Sequence, residues 1–244
     1  ITDLAFDAGM QLPFPGVRHK IRVAVVGSGP AGISCAHFLL RAGIGVTMYE
    51  QAEHPGGLLT YGIPGFKLDK KIVARRFDLL QQAGLELHLS QRIGDQISYA
   101  QLIDDYDAVF VGIGATMGRK AGIVGEDLPE VVLAMDYLIE KQKQLFGKPA
   151  DPQFIMQGKR VVVIGGGDTA MDCLRTALRD GAEEVTCLYR RDEANMPGSH
   201  KEFQNAVEEG AIFDFNVSPR EIRRESNGLL CIEVEQTRLT EKDA

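Results

Sequence analysis

The sequence has little of what marks several common classes of protein. Its four cysteines are Cys35, Cys173, Cys187 and Cys231, and none forms a C-x-x-C pair. We therefore expect no metal site, no iron–sulfur cluster and no redox disulfide within this sequence. No apolar run approaches the length of a membrane span, and no signal-peptide pattern opens the chain. These absences favour a cytoplasmic protein without a membrane partner.

Positive charge is also scarce. The sequence has 27 Lys and Arg against 34 Asp and Glu, which gives a net charge of −7. This balance argues against nucleic acid or an anionic membrane as the main partner. Hydrophobic residues make up 44% of the 244 residues, enough for the core of one large or two modest globular domains.

The stretch from Ile21 to Glu50 has the pattern of a dinucleotide-binding unit. It begins with a β-branched, apolar run that predicts a buried strand, followed by glycines at the G-x-G-x-x-G spacing. Gly27 suits the tight turn, Gly29 lets the backbone approach a pyrophosphate, and Gly32 lets the next helix lie close to the strand. The second strand ends in Glu50, where a carboxylate can accept hydrogen bonds from the ribose hydroxyls. Together these features predict a dinucleotide site.

The same pattern returns 138 residues later, where a shifted Gly27 falls on Gly165. Gly29 falls on Gly167, and Gly32 falls on Ala170. The chain therefore contains two copies of one supersecondary unit. We predict an α/β fold with two Rossmann-like dinucleotide-binding units.

The two copies differ at the end of their second strand. Glu50 ends the strand of the first copy, whereas Arg190 and Arg191 end that of the second. An acid favours a free 2′-hydroxyl, and arginine favours a 2′-phosphate through charge-assisted hydrogen bonds. The alternative for the arginine pair is a solvated strand end helped by Asp192 and Glu193. The position within the repeat favours the phosphate, so the second copy is predicted to bind NADP(H).

The remaining patterns predict local structure. A glycine- and proline-rich loop over 53–67 is equally consistent with plain turns and with a loop laid against a ligand. Asp69 is expected to cap a helix that ends at Gly84, and Ser98 a shorter one. Asn227-Gly228 predicts a two-residue hairpin turn. The expected C-terminal strands cover 211–217, 221–224 and 230–234.

Three longer motifs, at 56–70, 165–173 and 189–199, resemble the small (β) subunit of NADPH-dependent glutamate synthase. The NADPH-binding part of dihydropyrimidine dehydrogenase is similar. The resemblance covers essentially all of the chain and implies a disulfide-reductase-like, two-domain flavoprotein. It implies an FAD-binding domain over 1–118, with a lead-in over 1–20. An NADPH-binding domain over 119–244 would follow, with a connector over 119–159.

The resemblance implies FAD in the first site and NADPH in the second. The residues it places around FAD are Gly27, Ser28, Gly29, Pro30, Ala31, Gly32, Glu50, Gln51, Gly57, Leu58, Lys67 and Ile93. Those around the NADPH pyrophosphate are Gly165, Gly166, Gly167, Asp168, Thr169 and Ala170. Arg190 and Arg191 would hold the 2′-phosphate.

The implied activity is that of an NADPH-oxidising electron-input subunit. Hydride would pass from NADPH to FAD, and electrons would continue to the iron–sulfur clusters of a partner such as the large (α) subunit in glutamate biosynthesis. The cofactors carry this chemistry, so no side chain is expected to be catalytic, including the five histidines. The alternatives are the input module of a dihydropyrimidine dehydrogenase-like or ferredoxin-linked oxidoreductase, or a nucleotide-binding module without turnover.

Two segments of the resembling family are expected to be missing from this sequence. One is a cysteine-rich segment that binds iron–sulfur clusters before the first glycine turn. The other is a returning segment, with a Gly-Asp motif, that completes the FAD domain after the NADPH domain. The chain is therefore expected to be a fragment with an incomplete FAD domain.

Overall fold

The computed structural model of the protein describes residues 2–10, 13–115 and 117–239. Contacts divide this part of the chain into two compact units. The first lies within residues 1–61 and 65–116, and the second within residues 62–64 and 117–244. Each unit contains a parallel β-sheet with helices between its strands, so the predicted α/β class is confirmed.

The first unit is built on a four-stranded parallel sheet in the order β3-β2-β1-β4. Its elements are α1 (Thr2–Asp7), β1 (Arg22–Val26), α2 (Pro30–Arg41), β2 (Gly45–Tyr49), α3 (Leu58–Tyr61), α4 (Lys70–Gln82), β3 (Leu85–His88), α5 (Tyr99–Asp105) and β4 (Ala108–Val111). The register places Val26 beside Tyr49 on one side and beside Val111 on the other. The carboxyl ends of these three strands therefore meet at one edge of the sheet, where ligands of such folds bind.

Local sequence fixes where helix α2 begins and ends. Pro30 occupies its first turn, where a missing N–H costs nothing. Gly43 follows the helix at φ +77° and donates its N–H to the Leu40 carbonyl at 2.9 Å. The buried face, which includes Ala36 and Leu40, packs on the core that β1 and β2 share. This packing holds the helix N-terminus directly after the first glycine turn.

The predicted caps of helices α4 and α5 are confirmed. The Asp69 carboxylate accepts the Lys71 N–H at 2.9 Å and caps α4. Ser98 and Gln101 form a reciprocal capping box at the start of α5. These side chains satisfy N–H groups that have no partner within their helices.

The second unit contains a three-stranded parallel sheet, β5-β6-β7, and an antiparallel hairpin, β8-β9. Its elements are α6 (Ala134–Gln144), β5 (Arg160–Ile164), α7 (Asp168–Arg179), β6 (Glu184–Tyr189), α8 (His200–Glu208), β7 (Ile212–Phe215), β8 (Val217–Arg224) and β9 (Leu230–Gln236). The β5-α7-β6 segment repeats the β1-α2-β2 arrangement of the first unit. The predicted repeat is thus a repeat of structure as well as of sequence.

Helix α7 is held against α8 by a network of ion pairs. Arg175 donates to Glu202 at 2.7 Å and to Glu209 at 2.9 Å, and Arg179 donates to Glu209 at 2.9 Å. Arg175 is only 8% exposed, so its guanidinium depends on these carboxylates to replace lost hydration. The network fixes the helix that begins at the second glycine turn.

The strand predicted over 211–217 is shorter in the structure. It ends at Phe215 because Asn216 adopts φ +57°, outside the β region. The next strand, β8, starts at Val217 and runs without interruption through the predicted strand over 221–224. Asn216 therefore separates two strands that the sequence pattern divided elsewhere.

The two-residue turn predicted at Asn227-Gly228 is wrong in length. Strand pairing ends with Arg224 opposite Leu230, which leaves a connection over residues 225–229. Within it, Asn227 Oδ1 accepts the Leu229 N–H at 2.9 Å, and Gly228 takes φ +83°. The asparagine side chain therefore stabilises a longer turn than the dipeptide alone predicts.

The described ranges contain no helix that is both long and apolar enough to cross a membrane. In the same ranges, no three His, Cys, Asp or Glu side chains come together in a group that could hold a metal ion. All four cysteines are free thiols, and Cys173 and Cys187 are buried.

The buried thiols of Cys173 and Cys187 should be far less reactive than the partly exposed thiol of Cys231. Burial, assisted by Asp172, raises the pKa of Cys173 to about 12. Burial, assisted by Asp214, also raises the pKa of Cys187 to about 12. Since the thiolate is the reactive species, we expect both to react with a maleimide much more slowly than the partly exposed Cys231 near neutral pH. Mass spectrometry before and after denaturation checks this, and early labelling of Cys187 would contradict it.

Candidate functional site

The first glycine turn connects β1 to α2, and two of its glycines are required by the protein itself. Gly27 has φ +97°, and a Cβ built there would lie 2.5 Å from the Gly112 carbonyl oxygen. A Cβ on Gly32 would lie 1.9 Å from the Gly27 carbonyl oxygen. Both contacts are shorter than any real Cβ contact, so these positions need glycine for folding. The role predicted for Gly32 in close helix packing agrees with this geometry.

Gly29 differs from Gly27 and Gly32 because no contact with the described residues requires it to be glycine. Its backbone angles, φ −67° and ψ −175°, are open to any residue. A Cβ added there would meet no atom within 4 Å. The turn therefore leaves a space beside Gly29 at the N-terminus of α2, where N–H groups can bind an anion. This space fits the pyrophosphate predicted for the site.

Glu50 follows β2 and is held by backbone N–H groups. It is 6% exposed. Its Oε2 accepts the Ser28 N–H at 3.0 Å and the Ser28 hydroxyl at 2.5 Å, and its Oε1 accepts the Ala52 N–H at 2.8 Å. A carboxylate oxygen accepts about two hydrogen bonds, so Oε1 retains one acceptor position for a ribose hydroxyl. The protein thus fixes the orientation of the acid before any ligand binds.

Ser28 has a structural role that its place between two glycines did not reveal. Its side chain is fully buried. The hydroxyl donates to Glu50 and accepts the Gly56 N–H at 2.8 Å. One side chain therefore connects the glycine turn, the ribose-binding acid and the loop after β2.

Replacing Ser28 with alanine should cost both stability and FAD affinity. The substitution leaves the Gly56 N–H buried without its acceptor and removes one of the Glu50 bonds, at a cost of about 1–3 kcal/mol. We expect a lower thermal midpoint and weaker FAD binding, with NADPH binding unchanged. Fluorescence titrations with both cofactors check this, using Ser28→Thr as the variant that keeps the hydroxyl. An unchanged FAD affinity in Ser28→Ala would contradict the proposed connection.

The glycine-rich loop lies against the first glycine turn, as a loop laid against a ligand would, and its contact with a ligand stays a prediction. Gly57 has φ +53°, and a Cβ on it would lie 2.9 Å from the Gly29 Cα. Gly56 has φ +118°, and a Cβ on it would lie 2.2 Å from the Thr60 hydroxyl. Gly57 is therefore needed for the loop to approach the turn, and Gly56 is needed for the loop's own packing. Leu58, which follows, is 45% exposed.

The other residues predicted for the first site lie at varied places in the unit. Gln51 and Lys67 are exposed. Ile93 packs against a cluster that contains Tyr49, the residue before Glu50. Their contacts with FAD stay predictions.

The second glycine turn connects β5 to α7 and has the same open position. Gly167, at φ −89° and ψ 173°, would meet nothing within 4 Å if it carried a Cβ. A Cβ on Gly165 would lie 3.9 Å from the Ala170 Cβ, an ordinary contact. The second copy therefore has room for alanine where the first requires Gly32. Gly167 corresponds to Gly29 and leaves space for a second pyrophosphate.

The loop after Arg191 folds back onto this turn. The Gly198 N–H donates to the Gly166 carbonyl at 3.0 Å, and the Ser199 N–H donates to Asp168 Oδ1 at 2.8 Å. Asp168 therefore anchors the loop with its carboxylate, a function that the sequence prediction did not include. A cavity of about 370 Å³ adjoins the loop, lined by Glu193, Ala194, Met196, Gly198 and His200.

Arg190 and Arg191 lie just beyond β6, one exposed and one partly exposed. Within the described ranges, neither guanidinium has a hydrogen bond or ion pair with the protein. The neighbouring Asp192 accepts the N–H and the side-chain amide of Asn195 with its Oδ1, at 2.9 and 2.8 Å. Two guanidiniums without an ion-pair partner in the described ranges can donate charge-assisted hydrogen bonds to a phosphate group.

A parallel sheet, an open glycine turn and a polar residue after the second strand occur in both units. This combination defines a protein that binds two dinucleotides. The family model described as "Pyridine nucleotide-disulphide oxidoreductase" matches residues 21–243. The chain belongs to this family, which confirms the predicted class of pyridine-nucleotide oxidoreductase.

Individual relatives of the chain include a putative oxidoreductase and a glutamate synthase small chain. The chain is 52% identical over 252 aligned positions to the "putative oxidoreductase AegA" of Escherichia coli (strain K12), covering 100% of the chain and 38% of the relative. It is 45% identical over 249 positions to the "glutamate synthase [NADPH] small chain" of the same organism, covering 100% and 53%. The resemblance to glutamate synthase small chains is confirmed. The chain thus spans about half of the glutamate synthase small chain and less of the other relative.

A solved structure, "Mycobacterium tuberculosis FprA in complex with NADPH", has a TM-score of 0.72 with the chain. The aligned region covers 90% of this chain and 69% of the FprA chain, at 21% sequence identity. At this identity the likeness establishes the fold alone. Together with the family match, it supports the prediction of two Rossmann-like units.

Proposed function

We propose that the first unit binds FAD, that the second binds NADPH, and that the chain is the electron-input region of a flavoprotein of the glutamate synthase small-chain type. The observation that carries this proposal is the pairing of two open glycine turns with opposite charges after them. Glu50 follows β2 in the first unit, and Arg190 and Arg191 follow the corresponding strand β6 in the second unit. We also propose that the FAD-binding domain spans 1–118 and the NADPH-binding domain spans 119–244.

In the first unit, the N–H groups at the start of α2 would bind the FAD pyrophosphate beside Gly29. The remaining acceptor position of Glu50 Oε1 would receive a ribose hydroxyl. The loop at Gly56 and Gly57, fastened by Ser28, would border the cofactor. These groups are already positioned by contacts within the protein, so binding would require little reorganisation.

In the second unit, the N–H groups at the start of α7 would bind the NADPH pyrophosphate beside Gly167. Arg190 and Arg191 would bind the 2′-phosphate. Asp168, whose carboxylate accepts the Ser199 N–H, would anchor the loop beside the turn, and its predicted place at the pyrophosphate remains part of the proposal.

The chemistry supplied by bound FAD is the acceptance of a hydride from NADPH and its release as single electrons. The chain's own residues would bind and orient the two dinucleotides, and no side chain need act as an acid or base. A larger catalytic subunit with iron–sulfur clusters, of the glutamate synthase α type, would receive the electrons. We infer a cytoplasmic location, since the four cysteines are unpaired thiols.

A second candidate is the input module of a different iron–sulfur oxidoreductase. The identity to the "putative oxidoreductase AegA", 52%, is higher than the 45% to the glutamate synthase small chain. The two candidates share both cofactor sites and differ in the electron acceptor. Addition of a purified glutamate synthase large subunit, with an assay for glutamate formation, distinguishes them.

The proposal is tested by following the oxidation of NADPH and NADH by the purified chain with added FAD and an artificial acceptor. We expect oxidation that depends on FAD and prefers NADPH. The matched variants are Gly29→Val, which should abolish FAD dependence, and Gly167→Val, which should abolish NADPH binding alone. FAD binding by Gly29→Val as tight as that by the original chain would overturn the assignment of the first unit.

A further inference from the structure

The backbone that carries the arginine pair is fastened by residues far away in the sequence. The Thr237 hydroxyl donates to the Arg190 carbonyl at 2.5 Å. The Asn216 N–H donates to the Arg191 carbonyl at 3.0 Å, and the Thr237 N–H donates to the Asn216 carbonyl at 2.8 Å. Two of these hydrogen bonds link the end of β6 to Thr237, after β9, and to Asn216, between β7 and β8. The third links Thr237 and Asn216 to each other.

The hairpin β8-β9 explains why these residues meet. Its register pairs Val217 with Gln236, so the residues just outside the pair, Asn216 and Thr237, lie opposite each other. Asn216 takes φ +57°, a conformation that asparagine adopts more readily than most residues. This conformation ends β7 and directs the Asn216 N–H to the Arg191 carbonyl. The hairpin therefore has a contact with the second site as well as its own pairing.

Without these bonds, the arginine pair would lie on an unsupported strand end. Pairing of β6 with β7 ends at Tyr189 opposite Phe215, and pairing with β5 ends one residue earlier, at Leu188. Arg190 is therefore the first residue beyond the sheet. The two guanidiniums have no protein partner in the described ranges, so their direction depends on where the backbone is held. The bonds from Thr237 and Asn216 are what hold it.

We propose that Thr237, together with Asn216, is a positioning residue for coenzyme choice. By fixing the carbonyls of Arg190 and Arg191, they direct both guanidiniums toward the 2′-phosphate of NADPH. NADH lacks that phosphate, so the positioning acts on NADPH affinity and not on affinity for the shared parts of the two coenzymes. This inference rests on the proposed assignment of NADPH to the second unit.

The test replaces the Thr237 hydroxyl while keeping the shape of the side chain. In Thr237→Val the donor is lost, and in Thr237→Ser it is kept. We expect Thr237→Val to raise the dissociation constant for NADPH about 5- to 10-fold while that for NADH changes by less than about 2-fold, since one hydrogen bond is removed. Thr237→Ser should restore the preference for NADPH to within about 2-fold of the original. Dissociation constants are measured by fluorescence titration of the 244-residue chain, and thermal midpoints are recorded for each variant.

A second pair of variants tests the same device at Asn216. Glycine adopts a positive φ without strain, whereas alanine does not. Asn216→Gly should therefore keep the preference for NADPH, and Asn216→Ala should reduce it. This pair remains informative if Thr237→Val fails to fold.

The outcomes separate the inference from the proposed function. An unchanged NADPH-to-NADH ratio in both Thr237→Val and Asn216→Ala would overturn the inference, as would an equal loss of affinity for both coenzymes. The double variant Arg190→Met/Arg191→Met serves as the reference. If it keeps the preference for NADPH, the assignment of the arginine pair fails; if it alone loses the preference, only the positioning role fails.

Discussion

Replacement of Arg190 and Arg191 by methionine should weaken NADPH binding about 30-fold or more and leave NADH binding almost unchanged. Each guanidinium can donate charge-assisted hydrogen bonds to the 2′-phosphate, and their loss corresponds to about 2 kcal/mol or more. Within the described ranges the two side chains have no protein partner, so their removal should affect the fold little. Titration of both coenzymes against the original chain and the variant measures the effect.

A matched control separates phosphate binding from general charge. Arg220 and Arg223 lie on β8, pair with Glu235 and Glu233 across the hairpin, and are largely exposed. Arg220→Met/Arg223→Met removes an equal number of positive charges from a different surface, and we expect it to keep the preference for NADPH. Equal losses for NADPH and NADH in the Arg190/Arg191 variant would contradict a phosphate site.

The second large effect is expected from Gly29→Val, which should abolish FAD binding without unfolding the chain. The backbone at Gly29 accepts any residue, and its Cβ direction is open for at least 4 Å. The valine side chain would therefore enter the space proposed for the pyrophosphate. A loss of FAD affinity of at least ~100-fold, about 2.7 kcal/mol, is expected. Circular dichroism and bound flavin are measured on the same sample.

The neighbouring glycine provides the contrast. In Gly32→Ala the new methyl group would lie 1.9 Å from the Gly27 carbonyl oxygen, so this smaller change should destabilise the first unit. We expect Gly29→Val to keep the thermal midpoint and Gly32→Ala to lower it clearly. If Gly29→Val still binds FAD tightly, the first glycine turn has only a structural role.

Much of the fold could be predicted because local sequence and the repeat agree. The glycine spacing and the caps at Asp69 and Ser98 each depend on neighbouring residues. The charge difference between Glu50 and Arg190 became informative only through the repeat. Each cap adjoins the helix that it begins, and Glu50 lies within about thirty residues of the first glycine turn, where sequence patterns are most reliable.

What could not be predicted depends on contacts between distant residues. The Ser28 hydroxyl meets Gly56 only after β2 returns the chain to the turn, and Asp168 meets Ser199 across thirty-one positions. The bond from Thr237 to Arg190 spans forty-seven positions. No periodicity or dipeptide signals such bonds, since they depend on how strands are registered. The length of the turn at Asn227 was missed for a local reason instead, because the asparagine side chain accepts the Leu229 N–H within the turn.

The difference of one methyl group between Gly32 and Ala170 determines how the two halves of the chain can be recombined. Beneath α2 a methyl would overlap the preceding turn, whereas beneath α7 the Ala170 methyl is already part of the buried core. A chimaera with α2 in place of α7 would therefore still seat on its strand and leave only a small gap. The reverse graft would push the helix away from the strand and open the turn. Helices can thus be transplanted between these two repeats in one direction only, whether by natural gene conversion or by design.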